Sequence, residues 1–379
     1  MESVNGIGNG SRISGLALSH RDDHIGDNSI NASRRAGDTR PSRIPETERD
    51  TLFETIPLKT IFLHVTKACN LSCCYCYFSA NKVLPNEMTR AEFGRLWGDI
   101  VTLRPQKVVF TGGEPLLRKD TLQLIRDMRD ADPHHYVFRC LNTNGHSVTQ
   151  ELAEEIVGLA DEVRVSLDAL PERNDMLRGK GNFDAAVKAL EYLHAAGFEP
   201  KVLVTVTSVS LPDLAELLLF LIQKGITRVN INLFRSIGRG RGHREWIVQP
   251  GEVYVAMQKA QKRCSQDRSV SLQFPDPLRY PNCGVGAFLS ILPTGDAFPC
   301  HMLMTPEFRC GNVGQQSLTE ICHQDSLLGR LRGLGFHQLV RQDKRLAPLT
   351  GSDTCLGSVF ARTRSLPVWR KTLALLSHN

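Results

Sequence analysis

The segment Ala68-Cys69-Asn70-Leu71-Ser72-Cys73-Cys74-Tyr75-Cys76-Tyr77 places Cys69, Cys73 and Cys76 in a Cys-x3-Cys-x2-Cys arrangement. Soft thiolates select zinc, copper(I) or iron–sulfur clusters. Three thiolates on one loop can ligate three irons of a cubane, leaving the fourth iron open for chemistry; four-cysteine ligation is the norm where a cluster only carries electrons. The alternative is zinc, which wants a fourth Cys or His nearby and tetrahedral closure. Cys74 is the nearest further thiol, but adjacent cysteines chelate poorly. The chain has eleven cysteines, an odd count with four of them between positions 69 and 76, which does not suit a secreted disulfide framework.

The elements that must hold this loop alternate in a regular way. Apolar runs at 60–65, 107–110, 136–141, 163–167, 202–206 and 229–233 read as strands, and helical spacing falls at 89–103, 119–130, 148–159, 183–196 and 212–224. Six such units in a row predict a parallel sheet with helices outside, curling into a partial (β/α)6 TIM-like barrel. Its active face lies at the carboxyl ends of the strands. The cysteine loop follows strand one, Gly112-Gly113-Glu114-Pro115 strand two and Asn142-Thr143-Asn144-Gly145 strand three, while Ser166 and Asp168 end strand four.

In these features the chain resembles the radical S-adenosylmethionine (SAM) superfamily over about residues 58–240. The hallmark is the Cys-x3-Cys-x-aromatic-Cys loop, with Tyr75 as the aromatic. Gly112, Gly113, Glu114 and Pro115 are similar to the family motif that binds the amino group of SAM. Ser166-Leu167-Asp168-Ala169 is similar to a Ser-x-Asp-Gly stretch near the ribose, with Ala169 in place of Gly. Arg178-Gly179 resembles an element whose Arg pairs with the SAM carboxylate; a plain surface charge is the other reading of Arg178. The resemblance implies a [4Fe–4S] cluster on Cys69, Cys73 and Cys76, reductive cleavage of SAM to a 5′-deoxyadenosyl radical, and hydrogen abstraction from a substrate. It also implies an electron donor such as flavodoxin or ferredoxin.

Beyond residue 240 the pattern changes. Gly238-Arg239-Gly240-Arg241-Gly242 reads as a flexible break, a helix is expected at 251–264, and Pro293-Thr294-Gly295-Asp296 as a hairpin turn. Eleven residues separate Cys283 from Gly295 and four separate Gly295 from Cys300. This resembles the opening of a SPASM or Twitch domain, a small C-terminal Fe–S extension. The dense cysteine run of a full SPASM domain is absent, and Cys355-Leu356-Gly357-Ser358 looks like a Cys-x-Gly-Cys element with Ser in the second position. One auxiliary cluster on Cys283, Cys300 and Cys355, with Cys310 as a further candidate, is the preferred reading; a domain without a cluster is the alternative. Cys140, Cys264 and Cys322 read as small buried hydrophobes. The expected division is a disordered tail at 1–55, which lacks aromatic residues up to position 50, a barrel at 56–240 and the SPASM/Twitch-like domain at 241–379.

Composition is that of an ordinary globular chain, with 41% hydrophobic and 23% charged residues. A net charge of +6 is spread along the sequence and gives no reason to invoke nucleic acid. No apolar run is long enough for a bilayer, and no signal peptide is evident, so a cytoplasmic location is expected. The function expected is oxidation or other modification of a small molecule or peptide in specialised biosynthesis. Residues 1–50 do not read as the winged helix of peptide maturases, which favours a small molecule or a peptide recognised through another protein. Modification of a nucleotide or RNA is a second reading, and a non-enzymatic metal-binding or electron-transfer protein a third. Arg235, Arg239 and Arg241 read either as contacts for an anionic substrate or as solvated charges.

Overall fold

The structure is a computed structural model that describes residues 58–263, 271–273, 285–323, 326–332, 355–364, 367–369 and 374. The tail, Cys264 and Cys283 lie outside the described residues. The first six strands are β1 (Thr60–Thr66), β2 (Lys107–Gly112), β3 (Phe138–Thr143), β4 (Glu162–Ser166), β5 (Lys201–Val206) and β6 (Arg228–Leu233). Between them run α1 (Arg90–Leu103), α2 (Thr121–Ala131), α3 (Gln150–Ile156), α4 (Pro171–Arg178), α5 (Asn182–Ala195) and α6 (Leu214–Gln223). All six strands pair in parallel in chain order.

Local chemistry sets the element ends. A capping box opens α1, with Thr89 accepting from the Glu92 N–H while Glu92 accepts from the Thr89 N–H. Asp132 accepts the N–H groups of Tyr136 and Val137, which delays β3 by two residues relative to the apolar run. Ile61, Leu63 and Val65 of β1, Val163 and Val165 of β4 and Val202, Val204 and Val206 of β5 pack with the helices in one core. The alternate residues line the other, inner face, and at the entry to the strands that face is ionic. Glu162 pairs with Lys201 at 2.8 Å, with Arg228 at 2.6 Å and with Arg164.

The sheet extends past these six strands in both directions. The order is β10 (Gly311–Asn312), β9 (Asp296–Phe298), β8 (Phe288–Ile291), β1, β2, β3, β4, β5, β6 and β7 (Ser271–Gln273). After α7 (Pro250–Arg263), β7 (Ser271–Gln273) adds in parallel to β6. Strand β8 (Phe288–Ile291) adds in parallel to β1, pairing Phe288 with Thr60 and Ile291 with Leu63. The hairpin at Pro293–Asp296 joins β8 to β9 (Asp296–Phe298), which pairs with β10 (Gly311–Asn312). Among the described residues three short helices follow, α8 (Leu318–Cys322), α9 (Leu327–Arg332) and α10 (Leu356–Thr363). A second apolar cluster gathers Val285, Cys300, Leu303, Phe308, Leu356, Phe360 and Trp369.

The sheet is strongly curled. Strands β1 and β6 are five places apart, about 24 Å on a flat sheet. The turn after β6 nevertheless closes on the loop after β1, with the Arg239 N–H donating to the Cys76 carbonyl at 3.0 Å. This is the partial barrel expected from the alternation. Among the described residues no helix is long and apolar enough to cross a membrane.

Candidate functional site

The loop after β1 is held from every side at the carboxyl ends of the strands. The Cys69 N–H donates to the Asn81 carbonyl, closing the loop on itself, and the Cys74 N–H donates to the Leu177 carbonyl at the end of α4. Arg239 crosses from the β6 side and donates to the carbonyls of Cys73 and Ala80. Gly238 has φ +57°, and a Cβ there would overlap the carbonyls of Cys76 and Tyr77. The segment read as a flexible break is therefore a clamp: glycines give the close approach, and the arginine between them supplies donors. Arg239 is occupied by this loop, and Arg241 is exposed.

The three thiols stand within electrostatic reach of one another. Burial pushes Cys69 up to about 11, and it raises Cys73 as well. Neutral thiols suit such a site; thiolates there need a cation or metal to balance them. Among the described residues no three His, Cys, Asp or Glu side chains gather tightly enough for a single metal ion. Cys74 donates to the Leu177 carbonyl.

Strand β2 ends against this loop. A Cβ on Gly113 would overlap the Ala68 carbonyl, and the Glu114 N–H donates to that carbonyl at 2.8 Å. Pro115 then opens a 3-10 turn (Pro115–Leu117), for which Glu114 is the cap. Glu114 is buried and accepts from the Asn144 N–H at 2.7 Å, from Thr143 Oγ1 at 2.8 Å and from the Leu116 N–H. Burial outweighs these bonds and raises its pKa to about 7. A desolvated carboxylate held by neutral donors at the rim of the loop fits an ammonium group, as SAM carries.

Asp168, Tyr75 and Arg178 form a second buried cluster beside the loop. The Tyr75 hydroxyl donates to Asp168, and Arg178 donates to the Tyr75 hydroxyl at 2.6 Å and to Asp168 at 2.9 Å. The second Asp168 oxygen accepts the Thr205 N–H at 2.7 Å. Burial disfavours the Arg178 charge, but Tyr75 and Asp168 overcome this and raise its pKa. Its Nε is buried without a hydrogen-bond partner. A buried guanidinium with an orphaned N–H beside Cys73 fits an anionic group there, and the plain surface-charge reading of Arg178 falls. Ser166 is half-buried at the end of β4 on the same inner face as Arg164.

Further functional candidates carry little sequence signal. His64 on β1 is fully buried with both ring nitrogens unpartnered, its pKa lowered to about 3 chiefly by burial. It packs on Phe78, with ring centroids 4.4 Å apart, and near Tyr77. Tyr77 hydrogen-bonds Thr111 and lies 5.5 Å from His301, the residue after Cys300. The only hint was a histidine inside an apolar strand.

The C-terminal cysteines separate into two groups. Cys300 and Leu356, the neighbour of Cys355, belong to one apolar cluster, as does Val285, two residues past Cys283. Cys310 lies elsewhere: it lines a surface cleft with Glu320, His323 and Arg330, and its thiol is raised by burial and by Cys322. Cys140 and Cys322 are buried, as small hydrophobes should be.

Comparison with known proteins agrees with this geometry. Residues 63–221 match the radical SAM superfamily model, and residues 283–347 match that of the SPASM iron–sulfur cluster-binding domain. The mycofactocin maturase MftC of Mycolicibacterium smegmatis is 31% identical over 269 residues, covering 66% of each chain. The MftC of Mycobacterium ulcerans is 30% identical over 265 residues, covering 66% of this chain and 70% of that one. The chain thus spans about two thirds of the length of these curated relatives. In fold it is similar to Streptococcus suis SuiB bound to precursor peptide SuiA, with TM-score 0.64, 14% identity and coverage of 87% of this chain and 84% of that chain. It is similar also to native anSMEcpe with bound AdoMet, with TM-score 0.62, 14% identity and coverage of 84% and 97%. The chain belongs to the radical SAM superfamily and carries its SPASM iron–sulfur domain.

Proposed function

We propose that this protein is a radical SAM maturase that oxidises or otherwise modifies a peptide. Cys69, Cys73 and Cys76 would hold the cluster, which with SAM would supply a 5′-deoxyadenosyl radical for hydrogen abstraction from the substrate. The chain's own residues position and exclude. Glu114 receives the ammonium of SAM, Gly112 and Gly113 let the β2 end lie flush on the loop, and Pro115 sets the turn that aims the carboxylate. Arg178 offers its free Nε to the SAM carboxylate, with Asp168 and Tyr75 fixing its orientation. Ser166 lies on the face that the ribose would meet. Arg239 and α4 keep the loop rigid, and His64 with Tyr77 closes the inner face against water.

The observation that carries this reading is the convergence on one cysteine loop of a desolvated carboxylate hydrogen-bonded only by neutral donors and a buried guanidinium with an orphaned donor. Those are the two complements of an amino acid's charged end. The relatives named as maturases, and the similar structure that holds a precursor peptide, support a peptide over a small molecule. A low-potential donor such as flavodoxin or ferredoxin fits the one-electron step, and the cytoplasm is where such donors work.

The test is 5′-deoxyadenosine formation by anaerobically reconstituted protein with dithionite. Wild type is expected to cleave SAM, and a Cys69/Cys73/Cys76→Ala variant is expected to form no product. Cleavage by the triple variant would refute the assignment. Adding precursor peptides with and without their leader segments is expected to raise turnover and give a mass shift in the peptide alone.

A further inference from the structure

Ser358 is fully buried, and its Oγ has no hydrogen-bond partner among the described residues. An orphaned buried hydroxyl costs about 1–3 kcal/mol and calls for an explanation. A serine inside a helix usually escapes by bonding the carbonyl four residues back. Ser358 sits in the first turn of α10, and makes no such bond.

Its surroundings are specific. Cys355 is the residue before α10, three positions from Ser358, a spacing that brings side chains to one face of a helix. Between them, Gly357 packs so tightly on Met302 that a Cβ would overlap the Met302 carbonyl. The Met302 N–H in turn donates to Cys300 Sγ at 3.4 Å. The start of α10 is therefore locked onto the turn that carries Cys300, and Cys300 shares an apolar cluster with Leu356 and Val359. The unpartnered Ser358 hydroxyl, set beside Cys355 and the Cys300 turn in an otherwise apolar cluster, suits an iron–sulfur group. Cys310, the further candidate ligand, points into the other cleft.

We propose that Ser358 Oγ is an oxygen ligand of the auxiliary cluster, beside Cys300 and Cys355. This rests on the reading that the C-terminal domain holds a cluster. Ligation breaks the serine O–H bond and forms an iron–oxygen bond; the proton passes to solvent and no oxidation state changes. Oxygen is a harder donor than sulfur and favours the oxidised iron. The cluster therefore has a lower potential than its all-cysteine counterpart, and the serine-held iron is the one most readily lost.

The experiment uses the full chain in the Cys69/Cys73/Cys76→Ala background, so that only the auxiliary cluster remains. Iron, sulfide, electron paramagnetic resonance and midpoint potential are measured after anaerobic reconstitution. The parent is expected to hold iron and sulfide, Ser358→Ala less iron with a changed paramagnetic signal, and Ser358→Cys the parent's iron content at a higher potential. Ser358→Ala indistinguishable from the parent overturns the proposal. If Ser358→Ala fails to fold, Ser358→Cys decides: an unchanged potential and spectrum overturn it. A parent without iron overturns it too, yet leaves the SAM-cleavage reading standing, because that is measured with the native cysteines in place.

Discussion

Glu114 carries a proton-linked penalty that an ammonium ligand would remove. Its pKa rises from 4.5 to about 7 on folding because burial strips water from the carboxylate. A folded pKa above the unfolded one gives stability that is complete below about pH 4.5 and lost as pH rises through about 7. Ionising Glu114 without a ligand thus costs of order 3 kcal/mol, at about 1.4 kcal/mol per tenfold in proton affinity. A bound ammonium reverses the sign. Affinity for SAM is expected to rise with pH up to about 7 and then level, measured by equilibrium dialysis of reconstituted protein. Glu114→Gln is expected to bind about 10- to 100-fold more weakly, the value of a charge-assisted hydrogen bond. Wild-type affinity in that variant would remove Glu114 from the site. The Asp168 cluster makes a sharper contrast. Tyr75→Phe deletes one hydroxyl and leaves the ion pair, costing about 1 kcal/mol. Asp168→Asn leaves Arg178 buried without a counter-charge, costing about 3–5 kcal/mol. Urea midpoints of the two variants test this: equal effects would mean that the Arg178 charge has another sink.

The strand entries show what an element needs apart from its apolar face. Glu162 begins β4, Lys201 begins β5 and Arg228 begins β6, so one carboxylate ties three adjacent strands together. Burial works against its charge, but Arg164, Lys201 and Arg228 hold its pKa at about 2. This depressed value contributes stability that is present above about pH 4.5 and lost as pH falls toward about 2. Glu162→Gln is expected to cost about 3–5 kcal/mol at neutral pH, with a shrinking difference from wild type in acid. A pH-independent difference in the denaturation midpoint would show a packing effect instead. None of this was legible, since charged residues at strand ends read as boundaries. The strands themselves were legible nearly to the residue, because parallel strands buried on both faces are short apolar runs. Helix α4 (Pro171–Arg178) was missed because it buries only Asn174, Leu177 and Arg178 and has no apolar period. The cysteine loop and the Gly112–Pro115 turn were legible because each sets chemically distinctive residue types at a fixed spacing directly after a strand. The Arg239 clamp was not, because Gly-Arg-Gly is also how a linker reads.

The whole molecule turns on a pairing that leaves no local trace, that of β8 with β1. A change of pattern at residue 240 suggests two units, yet the sheet runs through both. The N–H groups of Lys59 and Thr60 donate to the Ala287 carbonyl, and the Met88 N–H to that of Pro293. The Leu318 N–H opening α8 donates to Asp99 of α1 at 2.8 Å, and α7 buries Val253, Met257 and Ala260 in the main core. Removing everything after Gly240 would unpair one edge of β1, beside the cysteine loop, and uncover the apolar sides of α6 and β1. An unpaired strand edge with exposed apolar surface invites association with other chains. A chain ending at Gly240 is therefore expected to aggregate or to bind the dye signatures of a loosened core, and to retain little iron on Cys69, Cys73 and Cys76. A chain ending at His323, which keeps α7, β7, β8, β9, β10 and α8, is expected to remain unaggregated and to hold that cluster while lacking Cys355 and Ser358. Size-exclusion chromatography with iron analysis separates the cases. A monomeric, iron-loaded chain ending at Gly240 would mean that the barrel folds without β8 and that the C-terminal part is a separable domain. The opposite result makes β8 and the Cys300 turn a structural wall beside the cysteine loop, with His301 and Tyr77 linking Cys300 to Cys76.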